Sequence, residues 1–142
     1  MARRGRNKTI SIAITTYNRP EGCLRLLQDI ERWSGPFRVR VTVFDDCSPD
    51  GYGDVQGFLR SKGWQWVRAE ENHGKKQWWK LVSDILNRWS RDASDYFYFI
   101  QDDIRLCEDF FTRTIGLWEQ IADKDKVSLY LLRDDRRDAV GV

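Results

Sequence analysis

The apolar run Tyr96-Phe-Tyr-Phe-Ile100 leads straight into Gln101-Asp102-Asp103. Two adjacent carboxylates repel each other and are costly to desolvate together, so a strand ending this way needs water or a cation beside it. A divalent ion removes the conflict. Mg²⁺ and Mn²⁺ take hard oxygen ligands, often one or two carboxylates plus substrate phosphates. The alternative is a solvated turn or a helix N-cap, since Glu108 and Asp109 follow closely and Asp caps helices well. Asp45-Asp46 closes a second apolar run. A carboxylate there can accept from an imide N–H, as in uracil, or from a ribose hydroxyl. Its alternative is a turn acid beside Cys47-Ser48-Pro49.

A third segment, Thr15-Thr-Tyr-Asn-Arg19, offers backbone groups and a Tyr ring to cradle a base, and Arg19 to meet phosphate. Asn18 and Pro20 also suit a plain turn. Gly74-Lys75-Lys76 opens a predicted helix, where N-terminal amides and two cations suit a diphosphate. It is not a P-loop, because GxxxxGK[ST] is absent. A solvated first turn is the simpler reading. His73, the one histidine, reads as an exposed turn residue. No GxSxG, HExxH or GxGxxG occurs, and nothing suggests a hydrolytic triad.

Strands and helices must hold these segments. Ile10, Ile12 and Ile14 alternate with small residues, predicting a strand over 9–16 with closely covered faces. Pro20 suits a first helical turn. Cys23, Leu26, Leu27 and Ile30 then follow the spacing of one helix face. Val39, Val41 and Val43 predict a second strand. A turn-rich loop follows over 47–53, then a short helix with Val55, Phe58 and Leu59 inward. Residues 64–68 predict a third strand. Next comes a long helix with Trp78, Leu81, Val82, Ile85 and Trp89 on one face. The strand over 96–100, the most apolar, is expected at the centre of the sheet. A helix with Phe111, Ile115, Trp118 and Ala122 on one face and a strand over 127–132 complete the pattern, and the chain then turns polar. Alternating strands and helices imply an α/β fold with a mainly parallel sheet and helices on both faces. Ligands of such sheets bind beyond the carboxyl ends of the strands. Residues 15–19, 45–48 and 101–103 all fall there.

The chain has 142 residues, enough for one domain with a real core. Residues 1–8 read as a flexible basic tail and 9–142 as the domain. A net charge of +2 gives no global field for nucleic acid. Arg3, Arg4, Arg6 and Lys8 are the one local hint of an acidic or nucleic-acid acceptor. Cys23, Cys47 and Cys107 lack zinc spacing and read as reduced thiols of a cytoplasmic protein. No segment reaches the length of a transmembrane span, and the start lacks a signal-peptide apolar region. Seven Trp, seven Phe and five Tyr exceed what so small a core buries, which suggests a cleft for rings or sugars, or a partner surface.

Four segments in order, residues 11–20, 43–51, 71–74 and 98–103, resemble the motifs of family-2 glycosyltransferases with the glycosyltransferase-A fold. The resemblance spans residues 9–132. It implies a glycosyltransferase-A-like (Rossmann-like) sheet, truncated after the donor-binding half. It also implies a nucleotide-diphospho-sugar donor, UDP-sugar favoured, held with Mn²⁺ or Mg²⁺. On that resemblance Thr15 and Tyr17 line the base pocket, Asp46 bonds the base, Asp102 lies near the ribose, and Asp103 binds the metal. Arg19 and Lys75 are candidate phosphate contacts. Trp78 and Trp79 stand where a basic contact is expected, and Gln101 stands where many relatives carry another Asp. The family's reaction is generally inverting: an acceptor hydroxyl attacks the anomeric carbon while a carboxylate removes its proton. Its base comes from a later element. Asp134 and Asp135, just past the final predicted strand, are the candidates here. The other readings are a non-catalytic nucleotide-sugar-binding or partner-binding module, and a nucleotidyltransferase. The latter normally has a Gly- and Arg/Lys-rich loop after the first strand, which residues 15–20 lack.

Overall fold

A computed structural model describes residues 7–123 and, as backbone, the strands at 130–134 and 137–141. Most of the basic tail, residues 1–6, lies outside the described residues. The chain folds as two compact units, one ending at Leu106 and the other beginning at Cys107.

The first unit holds a four-stranded sheet. Its elements are β1 (Thr9–Thr16), α1 (Pro20–Trp33), β2 (Arg38–Asp45), α2 (Gly53–Lys62), β3 (Gln65–Arg68), α3 (Gly74–Trp89) and β4 (Tyr96–Gln101). The order is β3-β2-β1-β4, with all pairs parallel. β2 and β1 are the sheet's interior strands, and β4 stands at its end among the described strands. Residues 10–16 of β1 are all buried, whereas Tyr96 to Phe99 of β4 are only half-buried. The expectation of a central β4 followed apolarity alone. Closely covered faces select small residues such as Ser11 and Ala13, while large rings suit the end of the sheet. There Phe97 stacks on Trp89 with centroids 4.6 Å apart, and Phe99 meets Trp78 at 6.3 Å.

Helix faces follow the predicted periodicity. α1 buries Cys23, Leu26, Leu27 and Ile30, and α2 buries Val55 and Leu59. α3 buries Leu81 and Ile85, which pack on Ala13 and Phe44. Trp89 stays 42% exposed despite its stacking. Ala13 and Thr16 point to opposite faces of β1, since side chains alternate along a strand. α3 therefore covers the Ala13 face, and α1 covers the Thr16 face, where the buried Cys23 lies. Right-handed crossovers explain this placement. Two steps in one direction put α1 and α2 on one side of the sheet, and the return step to β4 puts α3 on the other.

The second unit contains α4 (Phe110–Glu119) and an antiparallel hairpin of β5 (Tyr130–Asp134) and β6 (Arg137–Gly141). The polar run expected to follow the last strand thus contributes to a hairpin. Residues 124–129, which include the first three residues of the strand predicted over 127–132, lie outside the described residues. No described helix is long and apolar enough to cross a membrane.

Candidate functional site

The chain leaves β1 toward β2 and enters β4 from the other direction, so the strand order reverses between β1 and β4. Beyond the carboxyl ends of two such strands, their loops diverge and leave a crevice. A cleft of about 410 Å³ opens there, lined by Arg19, Gly22, Arg25, Asp102, Asp103 and Arg105 among others. Register sets Thr16 beside Asp45 and Thr15 beside Gln101, which aligns the three predicted segments along one rim.

At the end of β2 both acids are occupied. Asp45 is 1% exposed. It accepts from Ser48 N at 3.1 Å and from Arg68 Nε at 3.3 Å, across the β2–β3 pair. Asp46 accepts from His73 N at 2.9 Å, Asn72 Nδ2 at 3.2 Å and Gly74 N at 3.3 Å. His73 Nδ1 lies 2.6 Å from Asp46 Oδ1. An ionised carboxylate only accepts, so Nδ1 carries the proton. α3 has no cap from its own N-cap side chain. Asp46, the residue after β2, supplies that cap and sets a negative charge at the helix's positive end. His73 is accordingly not the exposed turn residue expected: its side chain is 19% exposed and held on Asp46.

The end of β4 differs. Asp102 is buried, and Thr16 Oγ1 donates to its Oδ2 at 2.7 Å. Tyr52, the residue before α2, is also buried; its hydroxyl lies 2.7 Å from Thr16 Oγ1 and accepts from Arg19 N at 2.8 Å. Arg19 Nε stands 3.7 Å from Asp102 Oδ1. Burial pushes the Asp102 carboxyl above its ordinary range and the Asp103 charge adds to this, while Thr16 and Arg19 oppose it. Burial, and then the Asp102 charge, push the Cys23 thiol up to about 12. Asp103 is exposed and has no side-chain partner among the described residues. Behind the pair, Asp29 of α1 clamps the following segment. It accepts from Arg105 Nε at 2.7 Å, Arg105 Nη2 at 2.8 Å and Leu106 N at 3.0 Å. Gly22 lets α1 approach closely, since a Cβ there would lie 3.0 Å from the Asp102 carbonyl oxygen. The loops after β1 and β2 each contain a non-glycine residue at positive φ, Asn18 at 51° and Cys47 at 60°. Asn18 N donates to Ser48 Oγ at 2.8 Å, tying those two loops together.

Of the predicted site residues, Asp46, Asp102, Asp103 and Arg19 sit on this rim. Thr15 is buried on the face opposite Thr16. Tyr17 is 49% exposed, and Lys75 is exposed in the first turn of α3. Asp134 belongs to β5 and is described as backbone, and Asp135 lies outside the described residues. Sequence reasoning missed Thr16, Tyr52, Asp29 and Arg105. Among the described residues no group of three or more His, Cys, Asp or Glu could hold a metal. The free carboxylate of Asp103 beside Asp102 nevertheless fits the smaller demand of Mg²⁺ or Mn²⁺, which take one or two carboxylates together with substrate phosphates.

No protein-family model matches the chain, and no curated protein matches it by sequence. Solved structures do match. The crystal structure of S. aureus TarS 1-349 superposes with a TM-score of 0.60 at 20% identity, covering 79% of this chain and 32% of that one. The same protein in complex with UDP-GlcNAc gives a TM-score of 0.56. Mannosyltransferase PcManGT from Pyrobaculum calidifontis, in complex with GDP-Man and Mn²⁺, gives 0.61 at 16% identity, covering 84% of this chain and 34% of that one. This chain spans about a third of the length of these neighbours. What this chain shares with them is their α/β architecture, and its fold is glycosyltransferase-A-like.

Proposed function

We propose that this chain is the donor-binding domain of a metal-dependent glycosyltransferase acting on a nucleotide-diphospho-sugar, with a UDP-sugar favoured. One observation carries the reading. A buried acid, Asp102, and an exposed acid, Asp103, with no side-chain partner among the described residues, follow the strand that borders the crevice where the strand order reverses. The neighbours solved with UDP-GlcNAc and with GDP-Man and Mn²⁺ support it.

In this reading Thr15 and Tyr17 bound the base, Asp46 shapes the neighbouring loop through residues 72–74, and Asp102 meets the ribose. Arg19 and Lys75 face the diphosphate, and Asp103 holds Mn²⁺ or Mg²⁺. When bound there, the ion would supply charge stabilisation for the departing diphosphate. Arg19 adds a fixed cation at the same edge of the cleft. An acceptor hydroxyl attacks the anomeric carbon in a single, inverting displacement. The base for that step is assigned to none of the described residues. A cytoplasmic location belongs to the proposal, on the strength of three free cysteines.

Titration calorimetry with UDP, GDP and dTDP, each with and without Mn²⁺, tests the reading. The expected result is Mn²⁺-dependent heat with at least one nucleotide, with affinity reduced on the order of tenfold or more in Asp103→Ala. No heat with any of the three would end it.

A further inference from the structure

Three loops meet at one buried hydroxyl. The Arg19 amide can only donate, so the Tyr52 oxygen accepts from it at 2.8 Å. The Tyr52 proton then points to Thr16 Oγ1 at 2.7 Å, and the Thr16 proton points to Asp102 Oδ2 at 2.7 Å. Each hydroxyl gives one proton and receives one, so the direction is the same along the chain: Arg19 N–H to Tyr52 O–H to Thr16 O–H to the Asp102 carboxylate. It starts in the loop after β1, passes through the residue that begins α2, and ends at the carboxyl end of β4.

We infer that Tyr52 and Thr16 are positioning residues of the donor site, a role that rests on the donor-binding reading above. Together they fix the rotation of the Asp102 carboxylate. Oδ2 is engaged from behind by Thr16, and Oδ1 is left toward Arg19 and the cleft. A carboxylate free to rotate would present either oxygen to a ligand, and binding would have to order it first. The same hydroxyl of Tyr52 holds the Arg19 amide, so the cation and the acid that flank the cleft are set by one group. The Tyr52 ring is anchored separately, 5.2 Å from the Trp66 ring. Removing the hydroxyl alone therefore leaves the packing in place.

The experiment is a double-mutant cycle on the full chain, read by calorimetric titration with UDP and Mn²⁺ and by urea unfolding. Tyr52→Phe is expected to weaken UDP affinity on the order of tenfold and to add no further loss in an Asp102→Asn background. Non-additivity of this kind marks residues that act through one another. Thr16→Val, which keeps the side-chain shape, is expected to behave the same way, and it decides the question if Tyr52→Phe fails to fold. Wild-type affinity in both variants overturns the inference. So does an equal loss with and without Asp102, which would mark a general structural effect. A wild-type chain that binds no UDP, GDP or dTDP overturns the donor-site reading and this inference with it. Binding by the wild type with either of the other outcomes overturns the inference alone.

Discussion

At the end of β2 both carboxylates are filled by the protein's own donors. At the end of β4 one carboxylate is held on a single edge and the other faces water. Asp45 and Asp46 together accept from Ser48, Arg68, Asn72, His73 and Gly74. Asp102 accepts from Thr16, and Asp103 has no side-chain partner among the described residues. Two pairs that look the same in sequence thus stand in opposite states. The first is committed to loop structure and to the start of α3. The second retains unused acceptor capacity, which is what a ligand or cation needs.

Alanine at one member of each pair would break or confirm this contrast most directly. Asp46→Ala removes the acceptor for three residues of one turn and the cap of α3. A loss of about 3 kcal/mol is expected, because the donors left behind are part-buried. Asp103→Ala removes an exposed group with no side-chain partner among the described residues, so stability should change by less than about 0.5 kcal/mol. Urea unfolding of both variants measures the difference. Equal losses would show that the β4 pair is as structural as the β2 pair.

The approach of α1 to the β4 end gives a smaller test. Gly22→Ala brings a helix-propensity gain of about 1 kcal/mol and a contact with the Asp102 carbonyl oxygen at 3.0 Å. Overpacking of this kind costs roughly 1–3 kcal/mol. That oxygen belongs to backbone, which is flanked by the Asp29 clamp and the Thr16 bond. A net loss of about 1 kcal/mol is therefore expected, together with weaker nucleotide binding. A net gain in the urea midpoint would show that the β4 end yields more easily than its hydrogen bonds imply.

How much of this was legible beforehand follows from how local each signal is. The strands of the first unit, the helix faces of α1 and α3 and the meeting of Asp46 with Asp102 on one rim come from periodicities within ten or so residues and from strand alternation with helices. The placement of β4 at the end of the sheet did not follow, because apolar content and centrality diverge where aromatic side chains cover an incompletely flanked strand. The state of each acid was equally hidden. Thr16 and Tyr52 are 36 residues apart, and Thr16 and Asp102 are 86 apart. Asp29 reaches Arg105 over 76. Nothing in the local sequence of Tyr52, a loop residue beside Gly51 and Gly53, distinguishes a buried hydroxyl from an exposed one. One weak signal existed at α1: Asp29 lies beside Ile30 in a stripe otherwise apolar, and a buried acid next to a core position requires a partner.

Acid titration separates the two sides of the cleft by the sign of a small effect. The Arg105 hydrogen bonds hold the Asp29 carboxyl below its ordinary value of 3.8. Between the folded and unfolded values the unfolded chain binds more protons, so this group adds stability that is present above 3.8 and is lost as pH falls through its folded value. Asp102 has the opposite sign. Its carboxyl is raised above 3.8, so the folded chain binds more protons and stability declines as pH rises through the range just above 3.8. Arg105 is 64% exposed at its side chain, so the Asp29 contribution is screened and is expected to stay below about 1 kcal/mol. Asp29→Asn should flatten the acid-side fall in urea midpoint, while Asp102→Asn should flatten the decline above it. Opposite slopes lost in the two variants would place the clamp and the ligand-facing acid in different electrostatic states. A common slope would mean that both are held by the fold in the same way.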